Sequence, residues 1–229
     1  MLVDFIEAYE KLKLLTDEIL DKYSSFEFFK HFREDHHEGG WLASNLKSYK
    51  GSNYGSEKSK FYTYEKKIDC LPHTKKFLEE YFPSSRRVRL MLLKGNNSIF
   101  WHYDSFESAD YGLSRIHIPI KTSSQIKTRI SHDISNWKIF RIYYGDFSFP
   151  HRVDNKGDSD WLHLVIDYEG EVHKFFKKSN LFKTKNIKIR RITRPIAQFA
   201  CDFYCMHRGI KDIKRFISRY FIRYLFRRK

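Results

Sequence analysis

The sequence predicts a mainly β fold of jelly-roll type with flanking helices and a basic, helical C-terminal tail. Three observations predict it. Short β-branched and aromatic runs with period-two character recur through the middle of the chain. Turn residues separate them. The last quarter changes to a three- and four-residue apolar period among lysines and arginines. A chain of 229 residues, 41% hydrophobic and 17% aromatic, is long enough for one sizeable core and short for two.

In chain order, Val3, Ile6, Leu12, Leu15, Ile19 and Leu20 predict an amphipathic helix packed against the barrel. The segment from Gly39 to Lys60 is open and charged, which suits a polar ligand. Residues 69–83 predict a short helix closed by Pro83. Strands are expected at 87–93, after which Lys94-Gly95-Asn96-Asn97 turns the chain, then at 98–101, 114–120, 138–144 and 161–167. The expected organisation is a helical, buttressing region over 1–84, a β core over 85–170 and a basic extension over 171–229.

Charge supports that last boundary. Residues 1–170 hold 25 basic and 25 acidic residues, whereas 171–229 hold 18 and 3, so the extension carries the whole formal charge of +15. In it Ile210, Ile213, Phe216, Ile217, Tyr220, Phe221, Tyr224 and Leu225 alternate with Lys211, Lys214, Arg215, Arg219, Arg223 and Arg227. A basic amphipathic helix over 208–229 suits an anionic membrane surface. It equally suits docking on the barrel or on a second subunit. No recognisable nucleic-acid-binding module accompanies it, so nucleic acid is not the expected partner.

The chemistry is concentrated in His102-Tyr103-Asp104 and, on a later segment, Pro150-His151. Side chains alternate faces along a strand, so His102 and Asp104 share one, and a second strand can bring His151 to meet them. Two imidazoles and a carboxylate that leave other metal positions open form the facial triad of non-haem Fe(II) oxygenases. H-x-D alone is short enough to arise by chance among eleven histidines. Its placement between strands raises its weight. Serine, cysteine or lysine nucleophilic catalysis has no supporting motif.

Several ordered blocks extend this evidence: Gly40-Trp41-Leu42-Ala43-Ser44-Asn45-Leu46, Val88-Arg89-Leu90-Met91-Leu92-Leu93-Lys94-Gly95, His102-Tyr103-Asp104, Arg115-Ile116-His117-Ile118-Pro119-Ile120, Pro150-His151-Arg152-Val153-Asp154-Asn155-Lys156-Gly157-Asp158 and His163-Leu164-Val165-Ile166-Asp167. Over these blocks the chain resembles the aspartyl/asparaginyl β-hydroxylases and their free-proline hydroxylase relatives, Fe(II)- and 2-oxoglutarate-dependent dioxygenases on a double-stranded β-helix. The resemblance implies that His102, Asp104 and His151 ligate iron and that Arg115 and His117 line the 2-oxoglutarate pocket. It implies a hydroxylase of an amino acid, a peptidyl Asp or Asn, or a similar polar substrate. Binding partners for such a substrate are expected in the loop 105–111 and in an aromatic mouth at Tyr143 and Tyr144. His163 reads as a core histidine.

One position departs from the family. Most members carry an Arg ten residues after the distal His, paired with the far carboxylate of 2-oxoglutarate, and here that position is Trp161. A buried carboxylate without its charged partner loses about 2–5 kcal/mol. Arg115 or Arg141 on another strand could supply the charge. Alternatively the pocket, with Trp161 stacking in it, takes a different chelating ligand. The remaining possibility is a catalytically lapsed jelly-roll binding protein recruited to a membrane or acidic surface by its tail.

Cys70, Cys201 and Cys205 form no disulfide framework, and Cys201-x-x-x-Cys205 near His207 reads as buried thiols sooner than as zinc ligands. With an acidic start that lacks signal-peptide features, a cytoplasmic protein, peripheral to a membrane if bound to one, is expected.

Overall fold

Period-two alternation gives the central strands an apolar face and a chemical face, and the fold keeps the two apart. The structure, a computed structural model, describes residues 2–5, 8–31, 33–49, 61–105, 107–176 and 179–222. Its strands are β1 (Leu2–Phe5), β2 (Phe29–Lys30), β3 (Trp41–Ser48), β4 (Thr63–Tyr64), β5 (Ser85–Leu93), β6 (Asn97–His102), β7 (Ser114–Lys121), β8 (Ile126–Ile130), β9 (Asp133–Ser135), β10 (Ile142–Gly145), β11 (His151–Asn155) and β12 (Trp161–Tyr168). The helices are α1 (Tyr9–Lys22), α2 (Pro72–Tyr81), α3 (Thr184–Cys205) and α4 (Ile210–Ile217). A large antiparallel sheet runs β1-β10-β7-β12-β5-β3-β2 with β4 beside β3, and a smaller one runs β6-β11-β8-β9. Two such sheets with flanking helices make the expected jelly roll.

On β5, β7 and β12 one parity, Val88, Leu90, Leu92, Ile116, Ile118, Ile120, Leu162, Leu164 and Ile166, joins the main core with Leu12, Leu15 and Ile19 of α1 and Phe77 and Leu78 of α2. Each such side chain contributes about 1.5–3 kcal/mol by leaving water. The other parity carries Arg87, Arg89, Arg115, His117, Trp161, His163 and Asp167, which line the cavities of the functional site. At the β5–β6 turn only glycine fits position 95, because a Cβ there would lie 2.3 Å from the Asp158 carbonyl oxygen.

Helix α2 has no side-chain cap of its own. Glu18 of α1 supplies one from outside: its carboxylate accepts bonds from the backbone N–H of His73 and Thr74, both 2.9 Å, and from Thr74 Oγ1 at 2.7 Å. A carboxylate at a helix N-terminus satisfies orphan donors and the helix dipole together. Glu18→Ala is therefore expected to lower stability by about 1–2 kcal/mol, read as a shift in the urea midpoint without a change of slope.

Several sequence expectations change. Val3 belongs to β1, paired with Tyr144, and the helix begins only at Tyr9. Ile6 lies outside the described residues. Leu20 is 39% exposed, because the apolar stripe of α1 runs through Leu12, Leu15 and Ile19. The segment beginning at Gly39 is not wholly open: β3 pairs with β5 from Trp41↔Leu93 to Lys47↔Val88, while residues 51–60 lie outside the described set. The large sheet thus draws β1 to β4 from the region expected to be a helical buttress. The strand expected over 138–144 begins only at Ile142, since Phe140 takes a left-handed φ of 59°.

The tail is helical as expected, but α3, 22 residues long, precedes the anticipated helix. That second helix is short, α4 followed by a π turn over Ser218–Ile222, and Arg223, Tyr224, Leu225 and Arg227 lie outside the described residues. Among the described residues no helix is long and apolar enough to cross a membrane.

Candidate active site

Antiparallel pairing of β6 with β11 sets His102 opposite His151, and Asp104 follows two residues after His102. The three candidate ligand atoms lie within 4.8 Å of one another. The imidazole centroids are 4.2 Å apart, and His151 Nε2 is 3.9 Å from Asp104 Oδ2. Both rings use Nδ1 in the same way, toward the carbonyl two residues earlier: His102 to Phe100 at 2.7 Å and His151 to Phe149 at 3.0 Å. A ring that donates from Nδ1 presents the Nε2 lone pair, so the backbone orients both rings as ligands. Burial lowers both histidines, which keeps them neutral and able to ligate.

Burial alone would raise the Asp104 carboxyl, but the Arg115 guanidinium beside it holds it well below the usual range. Arg115 meets three carboxylates: Nη1 donates to Asp104 Oδ2 at 2.6 Å, Nε to Asp167 Oδ1 at 2.9 Å, and Nη2 to Glu107. Asp167 also accepts from Arg87 Nε at 2.7 Å and lies 3.6 Å from Arg89. Burial pushes Glu107 well up, with Asp104 and Asp167 adding to it and Arg115 opposing.

This cluster borders an inner cavity of about 120 Å³ between the sheets. His102, Asp104 and His151 form part of its wall, with Arg115, His117, Trp161, Arg89, Trp41 and Trp137. Trp161 is 1% exposed and stacks on His163 at 4.0 Å. His163 is buried and paired, its Nδ1 3.0 Å from His117 Nδ1, and burial lowers it to about 3. Five ring or guanidinium nitrogens in this wall are buried without a protein partner: Nε1 of Trp41, Trp137 and Trp161, Nε2 of His117 and Nε of Arg89. Buried polar groups are normally satisfied. Five orphans around one cavity suit a ligand rich in acceptor oxygens.

The Trp161 site is thus short of an arginine, yet Arg89 is present across the sheet, opposite Val165 on β12. Burial, with Arg87 adding to it, lowers Arg89 to about 10, which leaves it charged at neutral pH. Sequence reasoning missed it and offered Arg115 or Arg141. Arg115 lines the cavity but is engaged by carboxylates, and Arg141 lies outside the wall. Two arginines of one parity in a strand interior, Arg87 and Arg89, were the available signal. His31 and His36 were also missed: both line the inner cavity, and His36 packs 4.6 Å from His102. Burial lowers His31 to about 2 and His36 to about 3.

An outer cleft of about 530 Å³ adjoins the triad. Ser105, Glu107 and Tyr111 of the expected loop line it, with Arg33, Asp202 and Arg215 among others; Phe106 lies outside the described residues. Tyr143 and Tyr144 do not form a mouth. Alternation along β10 stacks Tyr143 on Trp137 and buries Tyr144 in the main core, its hydroxyl accepting from the Ala109 N–H. Cys201 and Cys205 are buried on α3 and line the cleft, whereas His207 is exposed.

A sequence profile of the aspartyl/asparaginyl beta-hydroxylase family matches residues 9–170. No curated protein sequence matches the chain. Among solved structures, a Pseudomonas putida prolyl-4-hydroxylase is similar at 11% identity over 74% of this chain and 92% of that one, with a TM-score of 0.44. A 2OG-Fe(II) oxygenase family oxidoreductase from Burkholderia pseudomallei is similar at 10% identity over 67% and 77%, with a TM-score of 0.45. The viral collagen prolyl hydroxylase of Paramecium Bursaria Chlorella virus-1 is similar at 10% over 73% and 93%, with a TM-score of 0.40. The profile covers β2 to β12 and all three triad residues, so the chain, Trp161 notwithstanding, belongs to the aspartyl/asparaginyl beta-hydroxylase family.

Proposed function

We propose that this dioxygenase is an Fe(II)/2-oxoglutarate-dependent hydroxylase in which His102, Asp104 and His151 hold the iron and the inner cavity takes the keto acid. The observation that carries this reading is the ring of five unpartnered nitrogens and the buried Arg89 beside an intact triad. An iron bound there supplies oxidation of an unactivated C–H bond at the expense of O2 and the keto acid.

The chain's own residues orient and exclude. Phe100 and Phe149 carbonyls fix the ligand rings, and Arg115 fixes Asp104. His117 and Trp161 offer neutral donors to the keto acid, and Arg89 offers the charge that family members place at the position of Trp161. Ile99, Phe147 and Val153 line the remainder of the cavity and keep water from it. The outer cleft, with Ser105, Tyr111 and Arg33 on its wall, receives a polar substrate such as an amino acid or a peptidyl Asp or Asn.

The test is anaerobic addition of Fe(II) and 2-oxoglutarate, read by the weak visible metal-to-ligand charge-transfer band. The wild-type chain is expected to show it and His151→Ala to lack it. A band confined to Trp161→Arg would instead mark a chain that has lost its natural cosubstrate and acts by binding alone. Arg115→Ala frees the Asp104 carboxylate to turn, and Fe(II) affinity is expected to fall about 10–100-fold by titration calorimetry.

A further inference from the structure

Helix α3 is built inside out. Its inward face carries Arg190, Arg194, Cys201 and Cys205, all buried. Its outward face carries Ile189, Ile192, Ile196, Phe199 and Phe203, each between 45% and 69% exposed and recurring at three- and four-residue steps. Two buried carboxylates impose the choice. Arg190 Nη2 donates to Asp110 Oδ1 at 2.8 Å, and Arg194 Nη2 reaches Asp110 Oδ2 at 2.6 Å and Asp146 Oδ2 at 3.2 Å. Turning the isoleucines inward would leave Asp110 and Asp146 buried without counter-charge, which is strongly unfavourable.

Helix α4 continues the exposed surface. Phe216 packs against Phe199 and Phe203 of α3, while Ile210, Ile213, Ile217 and Phe221 remain 39–67% exposed. Nine large apolar side chains on this helix pair and the turn that follows it exceed the scattered exposure normal for a soluble surface. The same helices and their junctions expose Lys183, Lys185, Lys188, Arg191, Lys211 and Lys214. Among the described residues from 183 to 221 the acids are Asp202 and Asp212, and neither faces out: Asp202 accepts from Tyr103, Arg219 and Tyr220, and Asp212 from Arg215.

We propose that the outer face of α3 and α4 lies in the interface of an anionic lipid bilayer, apolar side chains in the acyl boundary and cations among the headgroup phosphates. A second copy is the poorer occupant, because joining two such faces sets one cationic surface against another. A bilayer carrying acidic headgroups answers both the apolar and the cationic character. The inference stands on the helix surface alone and is independent of the reaction proposed above.

Sedimentation of the full chain with phosphatidylcholine vesicles, with and without phosphatidylserine, tests it. Binding is expected to the anionic vesicles only and to weaken with added salt. Lys185→Glu/Lys188→Glu/Arg191→Glu is expected to weaken it at least about a hundredfold, from the contribution of each cation near such a surface. Ile192→Glu/Ile196→Glu should abolish it. All five positions are exposed, so unchanged thermal melting and Fe(II) affinity would show the variants folded. Equal binding to neutral vesicles, no vesicle binding, or unaltered binding by either variant would overturn the proposal. So would a dimer of the wild-type chain that Ile192→Glu/Ile196→Glu dissociates, which would give the face to a second copy.

Discussion

His151→Ala is expected to lose Fe(II) binding and to reduce 2-oxoglutarate turnover to background, while His163→Ala retains the metal. The contrast follows from where each ring points. His151 stands opposite His102 with Nδ1 committed to the Phe149 carbonyl and Nε2 toward Asp104. His163 sets its Nδ1 3.0 Å from that of His117 and lies in the aromatic stack with Trp161. Losing a supporting partner of a ligand costs about 10–100-fold in metal affinity, so losing the ligand itself should exceed that range. Iron content after gel filtration and succinate formation give the two readouts. Wild-type iron affinity in His151→Ala would place the metal elsewhere.

Arg89→Met is expected to raise the KM for 2-oxoglutarate by roughly thirtyfold to several-thousandfold, from about 2–5 kcal/mol for a buried carboxylate deprived of its charge. Fe(II) affinity should change little, because Arg89 touches none of the three ligands and Asp167 keeps Arg87 and Arg115 as partners. Methionine fills a similar length of the buried site. Trp161→Arg supplies the complementary experiment. Alone it removes an indole that is 1% exposed and adds a cation beside Arg89, so a loss of about 3–5 kcal/mol of stability is expected. In the Arg89→Met background the same substitution restores the charge count, and part of the lost affinity for the keto acid should return. An unchanged KM in Arg89→Met would remove Arg89 from the cosubstrate site.

The triad was legible because its geometry is local: two residues on one strand parity, and a third at the head of another strand. The departure at Trp161 was legible for the same reason, as a fixed offset from His151. Arg89 was not, since its role depends on the register that sets it opposite Val165, fixed by the packing of β5 against β12. Within Val88-Arg89-Leu90 an arginine reads as a solvated strand residue. β3 was hidden by Ser44, Asn45 and Ser48, polar residues that the fold buries. The face of the tail that turns inward was also illegible. Apolar periodicity points to burial of the isoleucines, and only Asp110 and Asp146, far away in sequence, reverse it.

Those same two aspartates decide how much chain the enzyme needs in order to fold. A chain ended after Tyr168 would keep every described strand and the complete triad, as well as nearly all of the span shared with the family. It would also leave Asp110 and Asp146, 3% and 0% exposed, without the guanidiniums of Arg190 and Arg194, and the outer cleft without the wall that Cys201, Asp202 and Cys205 form. The cooperative unit is therefore larger than the homologous one. In this protein the extension outside the family match supports the shared core, and the two should unfold in a single transition.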